Sequence, residues 1–387
     1  MEFCAVSLAG LAVFLSPSNA KAEEGEAEPA AKLSLSYTAD LMAVSTGVGK
    51  DATRFLDDIK VDGDFDLGRL AGWNGLQAHF TLLSNSGGAP NDLAGTLQGV
   101  DNIEVSRPRA KLYEAWVEAQ LGAGVSALAG LYDLNADFYA NESAGLLIAP
   151  AFGIGSELAA TGPNGPSIFP STAPAVRLNW EGGADLYARG AVLNAKAGVV
   201  GDPGGVDFTF DGGALYVAEA GWIGGGKFAF GAWRYGERQD DIRDIDTAGD
   251  PEKRIAQGAY VLAEHEIGNN TTAFARVGVS DGRTTPFAGG WQAGLLVAAP
   301  FAARPDGALS IGVNQGFTNA KFRANAFDAG EQIGRAETAL EITYADKIGR
   351  HLTVQPDLQW IHRPGADETR KDAWVAGLRI VITPFAD

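Results

Sequence analysis

Segments in which apolar and polar residues alternate one by one recur along most of this chain. In residues 76–82, LQAHFTL, every even position is apolar and every odd position between them is polar. A period of two is the pattern of a β-strand with one apolar and one polar face. Sixteen such segments, each about 7–12 residues long, lie at residues 33–41, 59–67, 76–82, 110–121, 125–133, 174–180, 184–194, 213–222, 226–235, 256–267, 271–280, 290–299, 308–315, 335–344, 350–361 and 373–383.

The connections between these segments alternate between short and long. Tight turns lie at residues 122–124, 181–183, 223–225 and 268–270, and long polar loops at residues 84–109, 135–173, 195–212, 236–255, 316–334 and 362–372. Outer-membrane barrels have this asymmetry, with short periplasmic turns and long outer loops. The pattern predicts an all-β protein, a transmembrane antiparallel up-and-down β-barrel of about 16 strands.

Composition agrees with a barrel and narrows the possible partners. The mean hydropathy of −0.03 is what alternating membrane strands average to. A formal net charge of −18 argues against nucleic acid, since phosphate binding needs clustered Lys and Arg. The single cysteine, Cys4, lies in the N-terminal segment, which leaves the remaining chain without a disulfide framework or thiol chemistry.

The N-terminal segment has the features of an export signal. Residues 3–15 form an apolar run that is too short to span a bilayer as a helix, and small residues follow it. We predict a signal peptide at residues 1–22, an acidic linker at residues 23–32 and the transmembrane barrel at residues 33–387. Two features depart from the usual pattern: Glu2 stands where a positive charge is expected, and the chain ends in Asp387 instead of an aromatic residue.

Residues 135–172 break the alternation. This stretch is dense in Gly, Pro, Ser and Asn, yet it also carries residues of the buried type, such as Phe138, Tyr139 and Phe152. Loops longer than about 12–15 residues are usually functional or disordered, and the apolar content favours an ordered loop. Because it follows the fifth strand on the long-loop side, we expect it to fold inward and constrict the barrel.

Aromatic residues near the strand ends predict interfacial girdles around the barrel. They are Tyr37, Trp180, Trp222, Tyr235, Trp291, Tyr344, Trp360 and Trp374. The polar faces of the strands would then line a wet lumen, and the apolar faces would meet lipid.

Three groups of residues resemble the carbohydrate-selective outer-membrane porins (OprB-like). The groups are LYEAWV at 112–117 with GLYD at 130–133 and NADF at 135–138; Phe152-Gly153, Phe169-Pro170 and Arg177; and residues 337–344, QPDLQ at 355–359, Pro364-Gly365 and GLR at 377–379. The resemblance covers most of the chain after residue 32. It implies a sixteen-stranded porin in the bacterial outer membrane, with a constricting loop and passive uptake of sugars.

A sugar channel needs paired hydrogen-bond donors and acceptors together with aromatic faces, and charges at the narrowest point set ion selectivity. Positions of lumen parity near the constriction loop supply candidates for the constriction and the substrate path. They are Glu114, Trp116, Glu118, Asp133, Asn135, Asp137, Glu142, Arg177, Asn179, Glu337, Glu341, Gln355, Asp357, Gln359 and Arg379. Their orientation depends on register, because a slip of one residue turns every side chain to the other face.

Short matches to enzymatic and metal-binding motifs occur, but the sequence around them does not fit those motifs. The sequence GVSDG at residues 278–282 matches a G-x-S-x-G motif, but it leads into a loop and lacks the following helix. Asp62, Asp64 and Asp66 resemble the start of a calcium loop, yet Trp73 stands where the bidentate Glu belongs. The four histidines show no metal-binding spacing. We predict no catalytic residues, no metal and no cofactor.

The sequence favours an outer-membrane porin that passes small neutral sugars by passive facilitated diffusion, with outer-membrane lipid as its other partner. A general or ion-selective porin on the same barrel is the first alternative, and the charge of −18 would then favour cations. An outer-membrane barrel enzyme and a secreted carbohydrate-binding β protein are further alternatives. The sequence leaves open whether the barrel is a monomer or a homotrimer.

Overall fold

The computed structural model describes residues 29–46 and 51–384. The predicted signal peptide, most of the predicted linker and the C-terminal Asp387 lie outside the described residues. The strands are β1 (Ala31–Ser45), β2 (Ala52–Asp66), β3 (Leu76–Gly87), β4 (Arg109–Gly122), β5 (Val125–Tyr132), β6 (Ala173–Glu181), β7 (Leu186–Asn194), β8 (Ala214–Ile223), β9 (Gly226–Ile245), β10 (Pro251–Gly268), β11 (Thr271–Ser280), β12 (Phe287–Ala298), β13 (Ala308–Thr318), β14 (Ala336–Ile348), β15 (Leu352–His362) and β16 (Ala373–Ile382).

These strands form one closed barrel in which every strand pairs antiparallel with its neighbours in sequence. The barrel closes where β1 pairs with β16, from Tyr37 opposite Ile382 to Ser45 opposite Trp374. Closure gives every strand two partners, so no edge is left with unpaired backbone groups in the hydrocarbon layer. The predicted sixteen-stranded up-and-down barrel is therefore confirmed.

Alternating side chains separate the two faces of the wall. On β16, Val375 and Arg379 are buried inside the barrel, whereas Trp374 and Leu378 are exposed on its outer surface. One residue of the predicted girdles is misplaced: Tyr235 is buried inside the barrel, where its hydroxyl lies 3.2 Å from the Thr161 hydroxyl. Its position in the alternation, between two exposed residues of β9, is that of an inward-facing side chain.

The long connections lie at one end of the barrel, as the sequence predicted, with one correction. Residues 236–255 are not a loop: β9 and β10 continue through them, and only residues 246–250 form the turn. The extension is polar on both faces and includes a Lys253–Asp240 ion pair. Because this part of the hairpin has no apolar face to bury, its strands lack the alternation on which the prediction depended.

Helices are few and short. They are α1 (Leu67–Ala71), α2 (Asn91–Ala94), α3 (Ser156–Ala159) and α4 (Ala320–Asp328), with 3₁₀ turns at Leu134–Ala136, Glu142–Ala144, Pro150–Phe152, Gly183–Asp185 and Pro364–Ala366. The N-cap of α4 is Asn319, whose side chain accepts a hydrogen bond from Phe322 N. Among residues 29–46 and 51–384, none of the helices has the length and apolar character needed to cross a bilayer.

Two loops from the long-loop end enter the barrel. We call residues 88–108, between β3 and β4, loop L2, and residues 133–172, between β5 and β6, loop L3. Residues of L2 pack with inward-facing residues of β1, β2 and β14–β16, and α3 within L3 packs on β11 and β12. The interior on that side is therefore filled by loop residues.

Candidate functional site

L3 is anchored by its apolar side chains. Leu134, Phe138 and Leu158 are each 0% exposed, and they pack with inward-facing residues of β5–β10. The ring of Tyr139 stacks on Tyr260 of β10 at a centroid distance of 4.0 Å. Burying such side chains offsets the entropy cost of ordering a long irregular segment. The loop that breaks the alternation therefore folds inward, as its composition predicted.

Carboxylates on the barrel wall accept hydrogen bonds from the backbone of L3. A long irregular loop leaves most of its N–H groups without partners, and each of them needs an acceptor once it is buried. Carboxylates on three strands are these acceptors. Glu219 accepts from Tyr139 N at 3.0 Å, Glu264 from Ser143 N at 2.7 Å and Glu341 from Ala149 N at 2.9 Å. The anchoring partners are widely separated in sequence.

Arg276 of β11 is the cationic counterpart of these carboxylates. Its guanidinium is fully buried and donates to the carbonyl oxygens of Tyr139 at 2.9 Å, Gly153 at 2.9 Å, Ala151 at 3.1 Å and Phe152. A planar guanidinium with five N–H groups can serve several carbonyls at once. Arg276 thus fastens two separate turns of L3 to the same point on the wall.

Glu337 of β14 holds L2 in a similar way. Its carboxylate accepts from Leu97 N at 2.8 Å and Gln98 N at 3.0 Å, and also from Gly365 N at 2.6 Å in the loop between β15 and β16. The inward position of L2 was not predicted, because the sequence of this loop is polar and has few large apolar residues. Glu337 therefore binds L2 and the loop between β15 and β16 to the same strand, β14.

Arg379 of β16 secures the other end of L2. It is fully buried and pairs with Asp40 of β1 at 2.6 Å, and it also donates to the side-chain oxygen of Asn102 at 2.7 Å. Asp101 lies 3.6 Å from the same guanidinium. Burial raises the pKa of the Asp101 carboxyl well above its usual value, and the nearby Asp40 adds to this effect.

Some inward residues of β2 and β4 keep contact with solvent. The side chains of Lys60 and Asp64 on β2 are 27% and 49% exposed, and that of Glu118 on β4 is 17% exposed. Glu341 of β14, by contrast, is 0% exposed beneath L3. The open part of the lumen therefore lies beside these side chains of β2 and β4, and we call this part of the barrel the open wall.

Charges of both signs lie beside this open wall. Arg177 of β6 pairs with Glu118 of β4, and with Asp137 of L3 at 2.5 Å. Arg189 of β7 pairs with the second oxygen of Asp137 at 3.1 Å. Burial acts to raise the pKa of Asp137, but the two guanidinium groups outweigh it and hold this pKa below its usual value. The network therefore presents both signs of charge within a few ångströms.

An aromatic pair lies beside these charges. Trp116 of β4 stacks on His79 of β3 at 4.9 Å between ring centroids. The Nδ1 atom of His79 lies 2.7 Å from the partly exposed carboxylate of Asp64, and its Nε2 atom lies 2.9 Å from the Thr81 hydroxyl. Hydrogen bonds at both ring nitrogens fix the imidazole, which in turn orients the indole of Trp116.

The start of L3 is fixed to β4 by predicted site residues. Asp133 N donates to Glu114 at 3.1 Å, and the Tyr113 hydroxyl donates to the Asp133 carboxylate. Asn135 donates to the carbonyl oxygens of Phe138 and Gly153, both at 3.1 Å, and so closes the first turn of L3. These contacts join the start of L3 to β4 and to the rest of the loop.

The fifteen predicted residues divide into two groups. Those that keep some exposure are Trp116, Glu118, Asp133, Asn135, Asp137, Glu142 and Asn179, whereas Glu114, Arg177, Glu337, Glu341, Gln355, Asp357, Gln359 and Arg379 are buried. The buried members on β14 and β15 serve the loops: Gln355 donates to Leu146 O at 2.8 Å, and Gln359 to Val100 O at 2.9 Å. Glu118, Asp137 and Arg177 form one network, and the β14–β16 residues lie away from it.

Several residues of the site and its anchors were missed by sequence reasoning. They are Lys60, Asp64, His79, Arg189, Glu219, Glu264 and Arg276. Each occupies an inward-facing position of its strand, as the predicted residues do. The alternation alone could therefore have identified them as candidates. No local signal distinguishes an anchor from a lining residue, because the difference lies in which loop covers it. In the described part of the chain, no group of three or more His, Cys, Asp or Glu residues is placed to hold a metal ion.

Comparison with known proteins assigns the architecture to a family. The family model "Carbohydrate-selective porin, OprB family" matches residues 50–383. Porin B of Pseudomonas aeruginosa is 23% identical in an alignment 393 residues long. The alignment covers 89% of this chain and 86% of that protein. The high-pH structure of Pseudomonas putida OprB superimposes with a TM-score of 0.82 at 20% identity, over 92% of this chain and 94% of that one.

More distant porins share the fold. The outer-membrane channel DcaP of Acinetobacter baumannii gives a TM-score of 0.56 at 11% identity, over 91% of this chain and 96% of that one. An anion-selective porin from Comamonas acidovorans gives 0.54 at 11% identity, over 91% and 99%. The barrel therefore lies in the bacterial outer membrane as a channel and not as an enzyme, and the chain belongs to the OprB family of carbohydrate-selective porins.

Proposed function

We propose that the barrel passes small neutral sugars by passive facilitated diffusion along the open wall of β2 and β4. The observation that carries the proposal is the network of Glu118, Arg177, Asp137 and Arg189 beside Trp116. Sugar hydroxyls donate and accept hydrogen bonds, so they need adjacent groups of both kinds, which carboxylates and guanidinium groups supply. The face of an aromatic ring offers an apolar contact for the C–H groups of a sugar.

The anchoring of L2 and L3 supports a path of fixed width. Both loops are held by buried hydrogen bonds to several strands, including the ties of Arg276 and Glu337. A rigid constriction excludes solutes by size at no conformational cost to those that fit. We infer that monosaccharides pass faster than larger oligosaccharides.

A cation-selective pore is the second candidate, and one observation favours it. Asp58, Asp62, Asp64 and Asp66 follow one another on the inward face of β2, with Lys60 as the only cation among these five positions. A row of carboxylates along a narrow passage raises the local concentration of cations. Neutral sugars are indifferent to this field, so the two functions are compatible on one barrel.

Liposome swelling with the purified protein tests the first proposal. Glucose is compared with a neutral amino acid of similar size and with a negatively charged sugar. Faster entry of glucose supports sugar selectivity, whereas entry ranked by size alone reduces the protein to a general porin. The reversal potential in a salt gradient measures the second candidate separately, because it reports charge selectivity without any sugar.

We also infer that residues 1–22 are removed on export and that the following acidic segment precedes the barrel. The barrel itself begins at Ala31, where β1 starts, so the last residues of the predicted linker belong to the first strand. Mass spectrometry of the protein from outer membranes would give the mature N-terminus, and a mature chain that begins well away from residue 23 would contradict this inference.

A further inference from the structure

The lipid-facing surface of the barrel carries a groove of about 750 Å³ across β6–β9. Its floor consists of small residues, Ala188 and Gly190 on β7, Ala218 on β8 and Ala232 on β9. Its rim consists of larger outward side chains, namely Val176, Leu178, Trp180, Val192 and Tyr216. The groove is apolar along almost its whole length.

Strand register creates the recess. Gly190 lies opposite Ala218, and Ala218 lies opposite Ala232, so three neighbouring strands place their smallest side chains side by side. Flanking positions carry large residues that stand out from the wall, among them Phe228 and Phe230, each 55% exposed. Neighbouring strands are only about 4.8 Å apart, and a furrow two or three strands wide fits an extended hydrocarbon chain.

An arginine marks one end of the groove. Arg234 of β9 also lines it and points outward, since its neighbours Trp233 and Tyr235 are buried inside the barrel. It lies opposite Tyr216, close to the start of β8 at Ala214 and so near the long-loop end. Its guanidinium donates to the Gln257 side chain at 3.0 Å. Within residues 29–46 and 51–384, no carboxylate oxygen lies within 4.0 Å of it.

A cation at this place needs an anionic partner. An arginine on the lipid face of a barrel is costly at the midplane, and the cost falls toward the interface. The long-loop end of the wall faces the outer leaflet, so the groups available to Arg234 are the headgroups of outer-leaflet lipids. A guanidinium matches phosphate oxygens in a bidentate geometry.

We propose that this groove binds one acyl chain of a phosphorylated outer-leaflet glycolipid, with its phosphate paired to Arg234. The chain lies over the Ala and Gly floor, and Tyr216 lies at the interface beside the headgroup. Arg238, further along β9 and exposed, adds positive charge on the side toward the long loops. The site depends on the outer-membrane location and is independent of which solute the channel passes.

A second copy of the barrel is a poorer occupant. Stable protein interfaces bury about 800 Å² on each partner, which a narrow furrow does not provide. The outer wall of a barrel is convex, so a second copy would rest on the rim residues and leave the floor unfilled. A flexible acyl chain can follow the furrow.

Native mass spectrometry of the detergent-solubilised protein, purified from outer membranes, tests the site. The protein is titrated with bis-phosphorylated lipid A, with its dephosphorylated form and with phosphatidylcholine. Two variants address the two parts of the site, Arg234→Gln for the phosphate and the double substitution Ala218→Leu with Ala232→Leu for the groove. Matched controls are Arg350→Gln at the short-turn end and Ala376→Leu on the outer face of β16.

We expect Arg234→Gln to weaken lipid A binding about fivefold, the effect of one lost interfacial cation, and the double leucine variant to abolish it. Both controls should bind like the unchanged protein. Equal binding by the Arg234→Gln variant, or equal affinity for the dephosphorylated lipid, would overturn the proposal. So would a lower oligomeric mass in the double leucine variant with lipid binding unchanged. Arg234→Gln leaves the groove intact, so it decides the question even where the leucine pair fails to fold.

Discussion

The guanidinium of Arg276 lies 5.4 Å from the ring centre of Tyr139 and donates to the carbonyl oxygen of the same residue at 2.9 Å. These residues are 137 positions apart in the chain, on β11 and in L3. The contact holds the middle of the constricting loop against the barrel wall. Arg276 is buried, so we expect it to affect the width of the pore through L3 and not by contact with a solute.

Replacing Arg276 by Met should loosen L3. The substitution removes the donor from the carbonyl oxygens of Tyr139, Ala151, Phe152 and Gly153, and each buried acceptor without a partner costs about 1–3 kcal/mol. We expect noisier single-channel currents and faster entry of disaccharides, relative to glucose, than in the unchanged protein. Planar-bilayer recording and liposome swelling measure these effects. Arg350→Met, in an exposed turn, is the control, and an Arg276→Met channel with unchanged size exclusion would contradict the anchoring role.

Replacing Arg177 by Gln should change both charge and sugar selectivity. Arg177 lies between the carboxylates of Glu118 and Asp137, and its loss leaves Glu118 without this cation and Asp137 with Arg189 alone. We expect the reversal potential in a potassium chloride gradient to shift toward stronger cation selectivity. The rate of glucose swelling should fall several-fold, because a loss of about 1 kcal/mol of binding is about fivefold. An unchanged ratio of glucose entry to amino-acid entry would show that Arg177 does not contribute to sugar selectivity.

Glu341 can be tested as an anchor by comparing two substitutions. Its carboxylate accepts from Ile148 N and Ala149 N. Glu341→Gln keeps one acceptor oxygen, whereas Glu341→Ala keeps none, so the alanine variant should be less stable than the glutamine variant by about 1–3 kcal/mol. Urea unfolding in lipid vesicles measures the difference, and hydrogen exchange at residues 146–150 locates it. Equal stability of the two variants would show that these N–H groups find other acceptors.

Gly278 should not tolerate a methyl group. A Cβ atom at this position would lie 1.9 Å from a carboxylate oxygen of Glu157 and 2.3 Å from the Tyr139 hydroxyl. Gly278→Ala must therefore displace the two side chains, at a cost of about 1–3 kcal/mol for overpacking. We expect a lower urea midpoint and altered conductance. Gly268→Ala, where a Cβ would meet nothing within 4 Å, is the matched control and should behave like the unchanged protein.

Glu104 gives L2 a pH dependence. Burial raises the pKa of its carboxyl from 4.5 to about 7, the hydrogen bond from Asn91 N opposes this, and nearby Asp92 adds to it. Between these two pKa values the folded chain binds more protons than the unfolded chain, so stability falls as pH rises through this window and levels off above about 7. Because the group is partly exposed, the change should be only about 1–2 kcal/mol.

The test for Glu104 compares urea midpoints in vesicles at pH 5, 6, 7 and 8. Glu104→Gln should lose this part of the pH dependence and become more stable than the unchanged protein at pH 8. Glu142→Gln, at an exposed position of L3, serves as the control. A stability difference between the unchanged protein and Glu104→Gln that does not vary with pH would contradict the prediction.

The barrel follows from local pattern alone. Alternation with a period of two determines which face of each strand meets lipid, and every inward residue predicted on β4, β6, β14, β15 and β16 has the expected parity. The alternation of short and long connections predicts the up-and-down order. The apolar content of residues 135–172 predicts that this loop is buried. Each of these signals lies within a few residues of chain, where backbone geometry and side-chain hydrophobicity act directly.

Tertiary structure decided which inward residues line the pore. Glu341 and Glu118 are both acidic and both on inward parity, yet one is sealed beneath L3 and the other keeps contact with solvent. The difference depends on where L3 crosses the lumen, and that is set by partners such as Arg276, more than a hundred residues away. A sequence pattern with a period of two carries no information about such distant partners. The inward position of L2 and the long β9–β10 hairpin were missed for a related reason, because polar segments held by backbone hydrogen bonds leave no hydrophobic periodicity to detect.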